Sequence, residues 1–166
     1  MIAEKRDIAK IDSYELAEYI LLKWGPMSHL KLQKILYYVE GYHLAYFDKS
    51  IIEDDFQAWI HGPVSRKIYD TLKDKSILYA ELGYVQTNGS KNPNDVLKET
   101  LTKDQIDFIN ETVEELNGFS STQLENMTHN EEPWLSARKG YNASDRCEVV
   151  IDKDLMKKFY RQEVYG

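Results

Sequence analysis

The stretch Ser28–Phe47, "SHLKLQKILYYVEGYHLAYF", decides how the rest of the chain is arranged. Ser28 is a favourable N-cap, and the residues behind it have apolar side chains at helical spacing. Because apolar side chains lie on more than one face of this predicted helix, we expect it to be central and contacted from several sides. Gly41 in its interior costs about 1 kcal/mol relative to alanine, a cost that close packing of another backbone would offset.

The segments on either side also show helical periodicity, with start and stop signals. A first helix is predicted to begin near Asp12 or Ser13 and to end at "WGPM", where Gly25 suits a cap and Pro26 cannot continue the helix. Pro63 fits the first position of a third helix, where its missing N–H costs nothing. The later start signals are the pairs Thr102 with Gln105 and Ser120 with Gln123, then Pro133, then Asp152.

One segment, "LGYVQTNGSKNPNDVLKE" at residues 82–99, combines strand-forming residues with turn residues. Asn88-Gly89 can supply the positive φ of a tight hairpin, and both a small hairpin and an irregular loop are compatible with this pattern. The sequence as a whole predicts a mostly α fold. We expect a compact helical bundle of about six helices with at most a small β-hairpin, in a single domain spanning residues 1–166.

Composition places the chain among soluble acidic proteins. Its 166 residues carry a net charge of −7, and the mean hydropathy is −0.57. No apolar run approaches the roughly 20 residues of a membrane span, and the charged N-terminus lacks a signal core, so we expect a cytoplasmic protein without a membrane partner. The negative charge argues against a nucleic-acid partner, because phosphate contacts require a basic surface, and it is compatible with a basic protein partner.

Groups that could carry out catalysis or bind a metal are sparse. The single cysteine, Cys147, forms no internal disulfide and has no base beside it, which favours a small buried side chain over a nucleophile. No two of the four histidines have the i, i+4 spacing of helical zinc ligands. Adjacent carboxylates such as Asp54-Asp55 and Glu131-Glu132 are typical of solvated loops. The sequence therefore predicts no catalytic residue, no metal and no cofactor.

The region 13–40 also fits a helix-turn-helix, which gives an alternative function as a DNA-binding transcriptional regulator. In that interpretation the second helix presents four polar residues to a DNA groove, namely His29, Lys31, Gln33 and Lys34. The apolar residues of the same helix favour an ordinary helical hairpin instead, with the second helix in the core.

The stretch "AWIHGPV", residues 58–64, joins a large aromatic residue to a rigid corner. Gly62 allows backbone conformations that other residues resist, and Pro63 fixes the direction of the chain. We expect Trp59 to fill the core at this joint. A stiff corner of this kind also holds neighbouring side chains in fixed positions for a partner. The candidates are His61, Ser65 and Arg66.

Three blocks of the sequence, in this order, resemble one family. They are "KLQKILYYVEGYHLAY" (31–46), "FQAWIHGPVSRKIYDTLK" (56–73) and "LENMTHNEEPWLSAR" (124–138). Together they resemble the Panacea antitoxin domain of the SocA/GepA-like phage-associated proteins, with a motif core at about residues 28–138.

The resemblance implies a small helical domain of bacteria, phages and prophages that serves as the antitoxin of a two-gene toxin–antitoxin system. The expected partner is a cognate toxin encoded in the adjacent gene, for example a small alarmone synthetase-like enzyme. The toxin would be neutralised by direct protein binding, without catalysis. Some relatives act instead as proteolytic adaptors that deliver the toxin to a protease, which is a further alternative for this chain.

The positions that match the family's motifs fall into groups with different expected roles. The core is expected to contain Leu32, Trp59 and Trp134. The polar members either hold the Gly-Pro corner or face the toxin, and they are Gln33, Lys34 and His129. The other matched positions are Lys31, Tyr37, Tyr38, Ala58, Gly62, Pro63, Val64, Thr128 and Pro133. The family often has an aromatic residue where this chain has His61.

Segments beside the shared domain tend to set partner choice in relatives, which here points to residues 1–12 and 152–166. The last predicted helix ends with "FYRQEVY". This segment contains Tyr160, Arg161 and Tyr165, residue types that are common at interface hot spots.

Overall fold

The computed structural model describes residues 7–72 and 81–166. These residues form eight helices and two antiparallel sheets of two strands each. The mostly α prediction is confirmed, with eight helices where about six were expected. No helix among the described residues is long and apolar enough to cross a membrane. In chain order the elements are α1 (Ser13–Trp24), β1 (Met27–Ser28), α2 (His29–Phe47), β2 (Phe56–Trp59), β3 (Gly62–Ser65), α3 (Arg66–Leu72), β4 (Glu81–Leu82), α4 (Pro93–Thr100), α5 (Lys103–Asn117), α6 (Ser121–His129), α7 (Glu132–Ala137) and α8 (Lys153–Tyr165).

Helix α2 is the centre of the fold, as its all-round apolar pattern predicted. Most of its residues are buried, and it contacts α1, α5, α6, α8 and strand β3. It begins where the Ser28 hydroxyl accepts a hydrogen bond from the backbone N–H of Lys31, and it ends at Asp48 with a positive φ of 65°. The other elements therefore surround this helix and take their positions from it.

The contact between α2 and α8 explains the glycine inside α2. A Cβ atom added at Gly41 would lie 2.7 Å from Cδ2 of Tyr160 in α8. The space beside Gly41 is therefore filled by an aromatic side chain. The buried carboxylate of Glu40 also ties the two helices together, since its Oε2 lies 2.8 Å from the Lys153 ammonium group.

The predicted helix starts are confirmed where the signal is a side-chain cap. Asp12 accepts hydrogen bonds from two backbone N–H groups of α1, and Asp152 does the same for α8. Helices α5 and α6 both begin with complete capping boxes, formed by Thr102 with Gln105 and by Ser120 with Gln123. Local chemistry at these positions is sufficient to fix where each helix begins.

The prediction that Pro63 starts a helix is wrong. Pro63 lies in β3, paired with Ala58 of β2, and α3 begins only at Arg66. Ser65 provides the cap, because its hydroxyl accepts a hydrogen bond from the backbone N–H of Ile68 at 3.2 Å. The Gly-Pro corner is therefore part of a β-hairpin, which was not predicted at this place.

The segment 83–92 forms an irregular loop rather than a hairpin. Asn88-Gly89 forms a turn with the expected positive φ of 82° at Gly89, but no strand flanks it. Strand β4 instead pairs with β1, with Leu82 opposite Met27. Helix α4 was not predicted at all, although Asn92 caps it and Pro93 lies in its first turn.

Candidate functional site

The β2–β3 hairpin is a tight turn whose shape depends on Gly62. Ile60 and His61 connect the strands, and Trp59 lies opposite Gly62 in the pairing register. Gly62 has a φ of 104°, a conformation that residues with a side chain rarely adopt. A Cβ atom here would also lie 2.4 Å from Cε of Lys34. Both the backbone conformation and the lack of space therefore require glycine.

Lys34 is completely buried beneath this turn, although its side chain ends in an amine that is ordinarily charged. Its Nζ donates a hydrogen bond to the carbonyl oxygen of Pro63 at 2.8 Å. Burial lowers the pKa of Lys34 to about 7, against the opposing attraction of the Glu125 carboxylate. The amine is thus close to losing its charge at neutral pH, and its position is fixed by the hairpin backbone.

Gln33, the neighbouring residue of α2, holds the other end of β3. Its Oε1 accepts a hydrogen bond from the Ser65 N–H at 2.9 Å, and its Nε2 donates to the Ser65 carbonyl at 3.2 Å. Nε2 also lies 3.1 Å from Nε2 of the buried His29. Since the Gln33 amide donates, His29 accepts at Nε2 and is neutral, consistent with a pKa that burial and the Lys34 charge lower to about 4.

These contacts decide between the two roles that the sequence left open for Gln33 and Lys34. Both hold the Gly-Pro corner, and both are buried. They also correct the helix-turn-helix interpretation, because His29, Gln33 and Lys34 are enclosed in the fold and are not available to a DNA groove. The fourth residue of that set, Lys31, donates a hydrogen bond to the backbone carbonyl of Asn117 at 3.0 Å.

At the tip of the hairpin, two histidines share one carboxylate. The Nδ1 atom of His61 lies 2.7 Å from Oε1 of Glu125, and Nε2 of His129 lies 3.9 Å from the same oxygen. His129 stacks on Trp134, whose indole N–H donates to the backbone carbonyl of Trp59 at 2.9 Å. Within residues 7–72 and 81–166, no group of three His, Cys, Asp or Glu side chains is arranged to hold a metal ion.

A cavity of about 360 Å³ opens beside the hairpin. Trp59 and Tyr69 form an aromatic wall with their rings 4.9 Å apart, and the guanidinium of Arg66 lies 5.7 Å from the Trp59 ring centre. The prediction that Trp59 fills the core is therefore wrong, since the ring is only partly buried and faces this cavity. The remaining wall is mainly apolar and includes Leu30, Ile60, Val64 and the buried Cys147.

The mouth of the cavity carries two arginines that share one carboxylate. Glu148 lies 3.2 Å from Arg66 and 2.7 Å from Arg146, and all three side chains are substantially exposed. Surface ion pairs of this kind contribute little to stability. Arg66 also lies 3.7 Å from Asp70 and within about 6 Å of the Trp59 and Tyr69 ring centres. The cavity therefore combines apolar walls with cationic groups at its mouth.

Tyr37 and Tyr160 belong to a different cluster, inside the fold. The Tyr160 hydroxyl lies 3.0 Å from the Tyr37 hydroxyl and donates to Oε1 of Glu131 at 2.8 Å, and Tyr38 donates to the same oxygen. The prediction that Tyr160 contacts a partner is corrected, because the side chain is completely buried. Arg161 is exposed and pairs with Asp48 at 2.9 Å.

Glu131 is one of several residues whose role the sequence did not reveal. It was expected to be solvated, but it is partly buried, and burial raises its pKa to about 7 against the lowering effect of the tyrosine hydrogen bonds. Arg138 is also buried, and it donates to the carbonyl of Ala58 in β2 at 2.8 Å. The cavity residues Tyr69 and Glu148 carry no sequence signal of their own, because only the fold brings them to the hairpin.

Comparison with known proteins finds a family model, and its match covers this hairpin. The family model described as Antitoxin SocA-like, Panacea domain matches residues 32–135, more than half of the chain. The match contains the braced hairpin, the Lys34 and Gln33 contacts beneath it, and the helix pair that carries Glu125 and Trp134. No curated protein and no solved structure matches the chain. The chain therefore belongs to the family of SocA-like antitoxins with a Panacea domain.

Proposed function

We propose that this chain is the antitoxin of a toxin–antitoxin pair, and that it neutralises a toxin encoded in the adjacent gene by binding it directly in the cytoplasm. The observation that supports this most is that the segment matched by the family model contains the hairpin and most of the wall of its cavity. In this proposal the protein acts by covering part of the toxin, and no covalent bond is made or broken.

The hairpin surface, by which we mean Trp59, Ile60, His61, Arg66 and Tyr69, is held in place before a partner arrives. Buried side chains support it from below. Lys34 forms a hydrogen bond with the Pro63 carbonyl, and Gln33 forms hydrogen bonds with the N–H and the carbonyl of Ser65. A surface that is already ordered loses little conformational entropy on binding. This bracing therefore supports a role in recognition.

The chemistry of the hairpin surface resembles that of interface hot spots. Tryptophan, tyrosine and arginine are the residue types most enriched at such sites, and here they lie within about 6 Å of one another around an apolar cavity. Ile60 at the turn is exposed beside them. We expect an apolar side chain of the toxin to enter the cavity while an acidic group of the toxin meets Arg66 or Arg146.

The toxin class is proposed on the resemblance described above, which favours an alarmone synthetase-like enzyme. The role of a DNA-binding regulator is not favoured, because the residues that it needs on α2 are buried. A proteolytic adaptor would bind the toxin through the same surface, but the toxin would then be degraded. The experiment below therefore separates direct neutralisation from delivery to a protease.

The test is co-expression of this chain with the product of the adjacent gene, followed by growth measurement and purification of the complex. The variant Ile60→Asp places a charge at the hairpin tip, and Leu22→Asp is the matched control on α1, because both leucine and isoleucine are 36% exposed. We expect wild type and Leu22→Asp to restore growth and to co-purify with the toxin, and Ile60→Asp to do neither while remaining folded. Equal behaviour of the two variants would contradict the proposed surface.

The amount of toxin in the rescued cells distinguishes neutralisation from delivery to a protease. Direct neutralisation predicts an undiminished toxin level with the toxin bound to the antitoxin. A toxin level that falls on co-expression, and recovers when the cell's proteases are removed, would favour the adaptor role. Failure to form any complex or to restore growth would contradict the proposed function itself.

A further inference from the structure

A second surface of this protein combines exposed aromatic rings with a groove. Tyr46 in the last turn of α2 packs edge-to-face against Phe108 of α5, with ring centres 5.5 Å apart, and its ring centre lies 6.0 Å from that of Tyr165 in α8. Tyr46 is 49% exposed and Tyr165 is 68% exposed. Beside them runs a groove of about 370 Å³ whose aromatic wall is Tyr46, Phe47 and Phe108. We call this groove, together with Tyr165 beside it, the aromatic groove.

Every charged residue that lines the aromatic groove in the described part of the chain is acidic. The four are Asp104, Asp107, Glu111 and Glu115, which recur along one face of α5. Among them only Asp107 has an ion pair within 4 Å in residues 7–72 and 81–166, with Lys103 at 2.7 Å. The groove therefore has an excess of negative charge among its own lining residues, and lysines line the adjoining cavities that share Asp104, Asp107 and Glu111 with it.

Tyr42, on the same helix as Tyr46, lies near carboxylates from several elements. The pKa of Tyr42 is raised to about 12, first by burial and then by the carboxylates of Glu131, Glu163 and Glu115. Since Glu163 belongs to α8 and Glu115 to α5, carboxylates from both helices act at the same place. Of these three carboxylates, only Glu115 lines the groove.

We propose that the aromatic groove docks a positively charged segment of the partner toxin, with lysine or arginine side chains lying on the rings of Tyr46 and Tyr165 and meeting the carboxylates of α5. This inference rests on the proposed function and adds the chemistry of the partner. A cation over an aromatic face is attracted to the ring, and the surrounding carboxylates provide the complementary charge. A second copy of this chain is a poor occupant, because its net charge of −7 would be repelled.

The position of the groove supports a role in partner choice. Tyr165 and Glu163 lie in α8, outside residues 32–135, the segment that the family model matches. The hairpin surface and the eight residues that line the groove all lie within that segment. The groove therefore adds contacts from this chain's own C-terminal helix to a surface that the family shares.

The first test measures binding of a short fluorescent peptide of alternating lysine and alanine to the full chain at low salt, by fluorescence anisotropy. The same peptide with acetylated lysines is the probe control. We expect the variants Glu111→Gln with Glu115→Gln, and Tyr46→Ala with Tyr165→Ala, each to weaken binding by roughly threefold or more, the change expected from loss of one or two cation–aromatic or charge contacts.

Two matched variants make this result specific. Asp55→Asn with Glu81→Gln removes the same number of exposed charges elsewhere, and Tyr46→Phe with Tyr165→Phe keeps the rings. Both should bind the peptide like wild type. Equal weakening by the distant charge variant would overturn the proposal, because it would show diffuse attraction to an acidic protein. Concentration-dependent dimerisation that Tyr46→Ala with Tyr165→Ala abolishes would also overturn it, by making a second copy the occupant.

The second test uses the purified product of the adjacent gene with the same variants. The expected result is a weaker complex for both groove variants, with a loss that shrinks as salt rises, because screening removes the charge contribution. If the toxin binds wild type and the groove variants equally well, this inference is wrong and the proposed function stands. If wild type forms no complex at all, both are overturned.

Discussion

At the scale of single residues, the hairpin depends on Gly62, which has no side chain, and on the buried amine of Lys34. A Cβ atom at Gly62 would lie 2.4 Å from Cε of Lys34. The Nζ atom of Lys34 donates a hydrogen bond to the carbonyl oxygen of Pro63. A side chain at position 62 would therefore require Lys34 to move. The sequence indicated the importance of Gly62, because a glycine before proline between two apolar runs is a turn signal.

Gly62→Ala tests this arrangement against a control in which only the backbone is strained. We expect the free energy of unfolding to fall by about 2–6 kcal/mol, the sum of backbone strain and overpacking. Gly89→Ala also places alanine at a positive φ, 82°, but nothing lies within 4 Å of the added atom, so a loss of about 1–2 kcal/mol is expected. Urea unfolding measures both, and equal losses would contradict the close packing of Lys34 against Gly62.

Glu131 shows a residue-scale effect that the sequence could not indicate. Its tyrosine partners Tyr38 and Tyr160 lie 93 and 29 positions away, so nothing near it in the chain marks it as partly buried. Its pKa rises from 4.5 to about 7 in the folded state, chiefly through burial. The folded state therefore binds more protons than the unfolded state between these values. The stability contributed by the protonated carboxyl is fully present below pH 4.5 and is lost as pH rises through 7.

Glu131→Gln tests this pH dependence, because glutamine keeps the acceptor oxygen and never ionises. We expect the variant and wild type to have similar free energies of unfolding near pH 4.5. As the pH rises through 7, the variant should become more stable than wild type. The titration of His29 and His43 is common to both proteins and cancels in the difference. Unfolding free energies measured across this range would show it, and a difference that does not vary with pH would refute the assignment.

At the scale of elements, α2 and α8 are positioned by a ring that lies against a glycine. Helix propensity alone predicts that Gly41→Ala stabilises the protein by about 1 kcal/mol. The structure predicts a net loss of up to about 2 kcal/mol, because the added methyl group would lie 2.7 Å from the Tyr160 ring and overpacking commonly costs about 1–3 kcal/mol. Thermal or urea unfolding decides the sign.

A second background separates packing from propensity at this contact. In a Tyr160→Ala protein the ring is absent, so Gly41→Ala should then be stabilising. Reversal of the sign between the two backgrounds is the signature of direct contact. Stabilisation by Gly41→Ala in the wild-type background would show that α8 does not press against α2 at this point.

The elements that the sequence predicted correctly are those specified by neighbouring residues. The capping boxes at Thr102 and Ser120 are formed within three residues, and both start helices in the structure. The errors arise where distant residues decide. Pro63 lies in a strand that distant residues hold in place, since Lys34 donates a hydrogen bond to the Pro63 carbonyl and Gln33 donates one to the Ser65 carbonyl, both from about 30 residues earlier in the chain. The short α4 has mostly polar residues and lacks the long apolar stripe that pattern analysis needs.

At the scale of the whole molecule, two surfaces of different character lie on one helical core. The hairpin surface is apolar and aromatic with arginines at its edge, and the aromatic groove is lined by carboxylates. Central helix α2 contributes to both, with Gln33 near its beginning and Tyr46 near its end. The sequence predicted the central helix and the family, but it placed partner contacts on Tyr160, which the fold buries.

The central claim is that this protein inhibits by occupying the toxin's surface, and titration of toxin activity tests it most directly. A fixed amount of the purified product of the adjacent gene is mixed with increasing amounts of this chain, and the toxin's residual activity is measured after short and long incubation. We expect activity to fall linearly to zero at a fixed molar ratio, with the same end point at both times. Continued loss of activity at substoichiometric amounts of this chain would show turnover and would contradict the account.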